Sequence, residues 1–115
     1  MVRKRLLLVL LLLVLGAASL FAQAPHPSAT LNWNASPDAG VSYNLYRSTT
    51  SGSGYVLVNP TPTSSLTLTD TAVVVGGTYF YVVRATVGGL ESANSNEVKA
   101  VILPAAPTNL KVVVN

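Results

Sequence analysis

Beyond residue 24 the sequence predicts an all-β fold, a sandwich or a barrel. Three observations point there. Short runs rich in Thr, Val, Tyr and Leu recur along the chain, each bounded by Gly, Pro, Asn, Asp or Ser. Within the runs apolar and polar residues alternate with period two, the pattern of a half-buried strand. Nowhere in this part do apolar residues recur at helical spacing with good helix formers between them.

The runs follow in order. Thr30-Leu31-Asn32-Trp33 alternates, with Leu31 and Trp33 on one face. Residues 34–40 form a turn, since Pro37 presets φ, Asp38 bonds to nearby backbone and Gly40 tolerates positive φ. Residues 43–47 alternate again, with Tyr43 and Leu45 on one face and Asn44 and Tyr46 on the other. A Ser/Thr/Gly loop spans 48–54, and a short strand from Tyr55 to Val58 ends at Asn59-Pro60-Thr61-Pro62. Leu66 and Leu68 alternate with threonines before Asp70. The longest run covers residues 79–86, with Tyr79, Tyr81, Val83 and Ala85 facing one way and Phe80, Val82 and Arg84 the other. Gly88-Gly89 turns the chain, and residues 97–102 form a further strand. Six strands with their inward residues suffice for one modest core.

Residues 1–24 have a different composition. Arg3-Lys4-Arg5 precede ten uninterrupted Leu and Val residues, and a mostly small-residue stretch follows, ending in Ala22-Gln23-Ala24. A positive flank, a short apolar core and an A-x-A exit describe a secretory signal peptide. Pro25 is a poor neighbour for a cut after Ala24, so the site lies after Ala22 or after Ala24. The competing reading is an uncleaved membrane anchor, for which the 17 apolar or small residues from 6 to 22 are short. The expected location is secreted or periplasmic, with membrane contact only if the segment stays.

Charge and composition exclude whole classes of function. Seven Lys and Arg face four Asp and Glu, but removing Arg3, Lys4 and Arg5 leaves a neutral chain. Nucleic acid is not an expected partner, because phosphate binding needs uncompensated basic clusters. No Cys is present, so disulfides and thiolate metal sites are excluded. His26, the one histidine, sits between two prolines in an extended segment and reads as a linker residue. Asp38 and Asp70 lie in turns, where aspartate caps backbone groups, and nothing in the sequence brings them together as an acid–base pair. No catalytic residue, metal site or cofactor is expected.

The residues resemble a fibronectin type III domain over roughly 28–102. Leu31-Asn32-Trp33 matches strand B with its tryptophan, and Tyr43-Asn44-Leu45-Tyr46-Arg47 matches strand C. Asp70-Thr71 leads into the turn before strand F. Gly76-Gly77-Thr78-Tyr79 carries the tyrosine-corner residue, Tyr81-Val82-Val83-Arg84-Ala85 is strand F, and residues 91–98 enter strand G. The resemblance implies a two-sheet antiparallel, immunoglobulin-like sandwich, strands A-B-E against C′-C-F-G, and it implies little about activity. It also implies structural roles for Trp33, at the centre of the core, and for Tyr79, donating its hydroxyl to an upstream carbonyl.

Two departures accompany the resemblance. No strand A precedes strand B, because residues 23–28 are few and hold Pro25 and Pro27. The C-terminal residues 104–114 look like the linker and first strand of a further module. The expected division is thus residues 1–24 as signal peptide, 25–103 as the domain, and 104–115 as linker and extra strand. That strand has two readings, a relic of a repeat array or a strand that completes a neighbour.

The candidate binding face is the outer side of the strands matching C and F: Tyr46, Phe80, Val82 and Arg84, joined by Tyr55. Exposed aromatics beside a guanidinium stack on sugar rings or partner side chains. The plainer reading is that such cross-strand pairs stabilise the sheet. The sequence therefore predicts an exported, non-catalytic module for protein–protein contact or spacing. Its partners are a protein or a second copy engaged through the C-terminal strand. A polysaccharide bound by the aromatics is the alternative.

Overall fold

The computed structural model describes residues 26–115; the expected signal segment lies outside them. Seven strands follow one another: β1 (Ala29–Asn32), β2 (Ser42–Ser48), β3 (Val56–Leu57), β4 (Thr67–Asp70), β5 (Thr78–Val87), β6 (Leu90–Glu91) and β7 (Val98–Val101). β1 and β4 make one sheet, in register from Ala29 opposite Asp70 to Asn32 opposite Thr67. The other sheet runs β3-β2-β5, and the far edge of β5 is shared by β6 at its end and β7 at its start. All pairings are antiparallel. The expected two-sheet sandwich is what the chain forms.

β5 is central because its Tyr, Val and Thr side chains suit a pleated, two-sided surface. Its inner face puts Tyr79 and Tyr81 into the core beside Leu45 of β2, with Val73 and Ile102 closing the ends. Ala29, Leu31 and Leu68 pack down from the smaller sheet, and Val58, Val83 and Ala100 from the larger. β6, absent from the expected set, follows a two-residue hairpin in which Gly88 and Gly89 take φ of 56° and 80°. Such turns need glycine-like residues at both central positions.

Between β6 and β7 two serines keep β5 hydrogen-bonded. Ser92 and Ser95 each donate a backbone N–H to β5, to Ala85 and Val83. Each Oγ accepts the N–H of the same β5 residue, at 3.0 and 2.9 Å. The hydroxyls thus stand in for strand carbonyls.

Tyr79 is buried and bonds to upstream backbone, with the direction opposite to the expected one. The hydroxyl accepts the N–H of Val74 at 3.0 Å. The turn closed by Gly77 N–H on the Val74 carbonyl takes up that carbonyl, so the free group there is the Val74 N–H. The ring lies so close to Gly77 that a β-carbon there would come within 2.7 Å of it.

Trp33 departs from its expected place at the centre of the core. It follows the end of β1, is half-buried, and packs against Tyr43 with ring centroids 5.7 Å apart. The cause is the narrowness of the smaller sheet. With β4 on one side of β1 and no strand on the other among the described residues, Trp33 walls an open groove of about 390 Å³. Leu31, Leu45, Tyr81 and Val83 line it, together with Asn32, Ser95, Asn96 and Val98. Val98 remains 43% exposed for the same reason.

β1 begins, β4 ends, β5 begins and β7 ends at one pole, as the pairs Ala29–Asp70 and Thr78–Val101 and the contact of Asp70 with Tyr81 require. Beyond Ile102 the chain forms no further strand, and Leu110, Val112, Val113 and Val114 are 81–100% exposed.

Candidate functional site

Alternation along β2 and β5 sends Asn44, Tyr46, Phe80, Val82 and Arg84 to the outer face of the larger sheet. Tyr46 stands opposite Val82 and reaches past β5 to β6, where its hydroxyl donates to Glu91 Oε2 at 2.5 Å. Asn44 Nδ2 donates to the same oxygen at 3.1 Å. The Arg84 guanidinium lies 4.2 Å from the centre of the Tyr46 ring. It also donates from Nε to Asn94 Oδ1 at 2.7 Å and pairs with Glu91 Oε1 at 3.5 Å. One carboxylate thus gathers a phenol, an amide and a guanidinium.

Glu97 gathers a second group. Ser51 Oγ donates to it at 2.6 Å, the Gly52 N–H at 2.8 Å, and the Tyr55 hydroxyl to the same oxygen as Gly52. Tyr55 precedes β3 and Glu97 precedes β7, so this link spans β2 and β5. The donors from Tyr46 and Asn44 hold Glu91 below the ordinary carboxylate range; those from Ser51, Tyr55 and Gly52 do so for Glu97. The same bonds raise the two tyrosine hydroxyls.

The expected binding face is therefore only partly exposed. Val82 is 3% exposed and belongs to the buried set. It lies at the middle of the sheet's central strand, where the long side chains bridging to Glu91 and Glu97 close the face. Phe80 is half-buried opposite Ser48. Tyr46 and Arg84 come together at Glu91, whereas Tyr55 does not join them and is bound instead to Glu97 in the separate group. Sequence reasoning missed the two glutamates that organise the face. The available signal was that the only two Glu in the chain fall between the Gly88-Gly89 turn and the start of the last run, on the segment that follows the longest strand.

A second polar cluster lies inside the sandwich. Arg47, inward by the same alternation as Leu45, donates from Nη1 to both oxygens of Asp70 at 2.8 and 2.7 Å. Tyr81 Oη and the Ala72 N–H complete the shell at 2.8 and 3.0 Å. Burial pushes the Asp70 carboxyl up, but the bonds from Arg47, Tyr81 and Ala72 outweigh it and leave its pKa below the usual value. Burial first, then the bond to Asp70, pushes the Tyr81 hydroxyl up. A carboxylate 1% exposed and satisfied on both oxygens ties the sheets together. Asp38 is exposed in its turn and does not meet it. Among the described residues no three of His, Asp or Glu come together as metal ligands would.

This architecture has a close structural counterpart. A Fn3-like protein from Clostridium thermocellum is 43% identical in sequence, superposes with a TM-score of 0.57, and is matched over 71% of this chain and 80% of its own. The chain belongs to the fibronectin type III-like family. No family model matches it. The chain is also 46% identical over 78 residues to an amylopullulanase of Thermoanaerobacter thermohydrosulfuricus. That match takes in 67% of this chain and only 5% of the length of the amylopullulanase. A fibronectin type III-like sandwich is a non-catalytic type of module, and the three carboxylate clusters fit it. Those of Glu91 and Glu97 support the outer face and that of Asp70 the core.

Proposed function

We propose that the chain is an exported, non-catalytic module that makes protein–protein contact or spaces other domains in a polysaccharide-degrading setting. The observation that carries this reading is the self-satisfied outer face. Tyr46 is covered on one ring face by Arg84 and held at its hydroxyl by Glu91. Tyr55 is held at its hydroxyl by Glu97. Phe80 is half-buried, so the face offers no free flat platform on which a sugar ring would stack. The likeness to a short stretch of an amylopullulanase supports the setting and an extracellular location, while the fold supports the absence of chemistry.

The same likeness favours a second reading, recognition of an α-glucan by Tyr46, Tyr55 and Arg84. Affinity electrophoresis in gels cast with soluble starch, pullulan or xylan separates the two. Mobility unchanged in all three gels is the expected result. Retardation in the starch or pullulan gel that Tyr46→Ala abolishes replaces the contact reading with the glucan one.

A further inference from the structure

We propose that the groove beside β1 is a docking slot for a β-strand, and that residues 110–114 of a second copy of this chain fill it. β1 is hydrogen-bonded to β4 along one edge, and among the described residues nothing pairs with the other. Alternate N–H and C=O groups along Ala29–Asn32 face the groove, and an unpaired edge is a template for another strand. The usual protections are missing, since this stretch has no proline, no lysine and no other charge. Leu31, Leu45, Tyr81 and Val83 give the groove an apolar strip beside the polar Asn32, Asn34, Ser95 and Asn96, and Val98 is left partly uncovered. At its head the indole N–H of Trp33 is buried without an acceptor.

The occupant is carried by the chain itself. In residues 110–114, Leu110, Val112 and Val114 recur with period two, so an extended strand there has one wholly apolar face. All three are at least 85% exposed. Valine suits a strand, and three adjacent valines left in water are an aggregation hazard. Lys111 falls on the opposite face and would stay in solvent, so docking buries no charge.

The partner is a second copy because the antiparallel direction, in which every strand pair of this molecule runs, is out of reach for the chain's own tail. The chain leaves β7 at the pole where β1 begins, whereas an antiparallel partner of β1 must enter from the other pole. Residues 103–108 span at most about 20 Å fully extended, roughly the height of the sandwich, with nothing left for two reversals. Pro104 and Pro107 favour the extended form. This slot lies on the smaller sheet, away from the outer face of the larger one. Gel mobility tests that face and oligomeric state tests this edge, so either reading can fail alone.

Two experiments test the proposal. In size-exclusion chromatography with light scattering over a concentration series, the mature chain should pass from monomer to dimer or higher mass. The V112K/V114K variant, altered only at exposed positions, should stay folded and monomeric. The second uses the lack of cysteines. Asn32→Cys and Lys111→Cys, outward positions that face each other when Val112 lies opposite Leu31, placed in separate chains and mixed under oxidising conditions, should form a crosslinked heterodimer. Three results would overturn the proposal: a monomer at every concentration, equal association by V112K/V114K, or a chain carrying both cysteines that crosslinks only to itself.

Discussion

Asp70 has almost no exposed surface, yet it is the point where β2, β5 and the end of β4 meet through Arg47, Tyr81 and its own turn. Asp70→Asn removes the charge that pairs with Arg47 and should cost about 3–5 kcal/mol, since a half-broken buried pair leaves an uncompensated cation. Tyr81→Phe removes one bond to a charged acceptor and should cost about 1.5–3 kcal/mol. The Asp70 pKa is lower folded than unfolded, so its stabilising contribution is complete above the unfolded value and disappears as pH falls through the folded one. Urea midpoints followed into acid should therefore drop for the wild type. They should drop less for Asp70→Asn, most clearly in salt that screens the exposed Glu91 and Glu97. At the corner, Tyr79→Phe should cost about 1 kcal/mol by leaving the Val74 N–H without its acceptor. Gly77→Ala should cost more, because its β-carbon would lie 2.7 Å from the buried Tyr79 ring and neither can withdraw freely. The order of the two urea midpoints checks this.

Among the elements, the stretch from β6 to β7 behaves as one interrupted strand whose ladder is patched by side chains. Ser95→Ala leaves the Val83 N–H without an acceptor in a partly buried place and should cost about 1–3 kcal/mol. Ser92→Ala, at a more exposed bond, should cost less, and amide exchange at Val83 and Ala85 should rise in the matching variant. Period-two alternation made β1, β2, β4, β5 and β7 legible, as well as which way Leu45, Tyr79 and Tyr81 point. It said nothing of residues 92–97, where serine hydroxyls replace backbone acceptors and the apolar rhythm lapses. It left Arg47 unassigned, and it gave no sign of the pairing with Asp70, which joins residues 23 positions apart in different sheets. The outer face was legible as a set of side chains but not as a covered surface. Burial of Val82 depends on Tyr46 and Tyr55 reaching glutamates that are distant in sequence. Trp33 was misplaced because its neighbourhood depends on the width of the smaller sheet, which the local pattern around residue 33 does not encode.

At the scale of the whole molecule, a five-stranded sheet with a partly exposed outer face is packed on a two-stranded sheet with one edge open. The larger sheet holds most of the buried side chains, and the smaller one supplies the slot inferred above. The chain enters β1 and leaves β7 at the same pole, and this decides how the molecule would respond to being pulled. Tension between those two points runs across the layers, perpendicular to the strands. The first bonds to feel it are the end pairs Ala29–Asp70 and Thr78–Val101. Antiparallel ladders loaded from one end open a pair at a time, like a zip, whereas ladders sheared along their length must break many bonds together. The sandwich is therefore a weak link under mechanical stretch. It suits a side attachment that is left unstrained better than a segment placed in line with a pulling force.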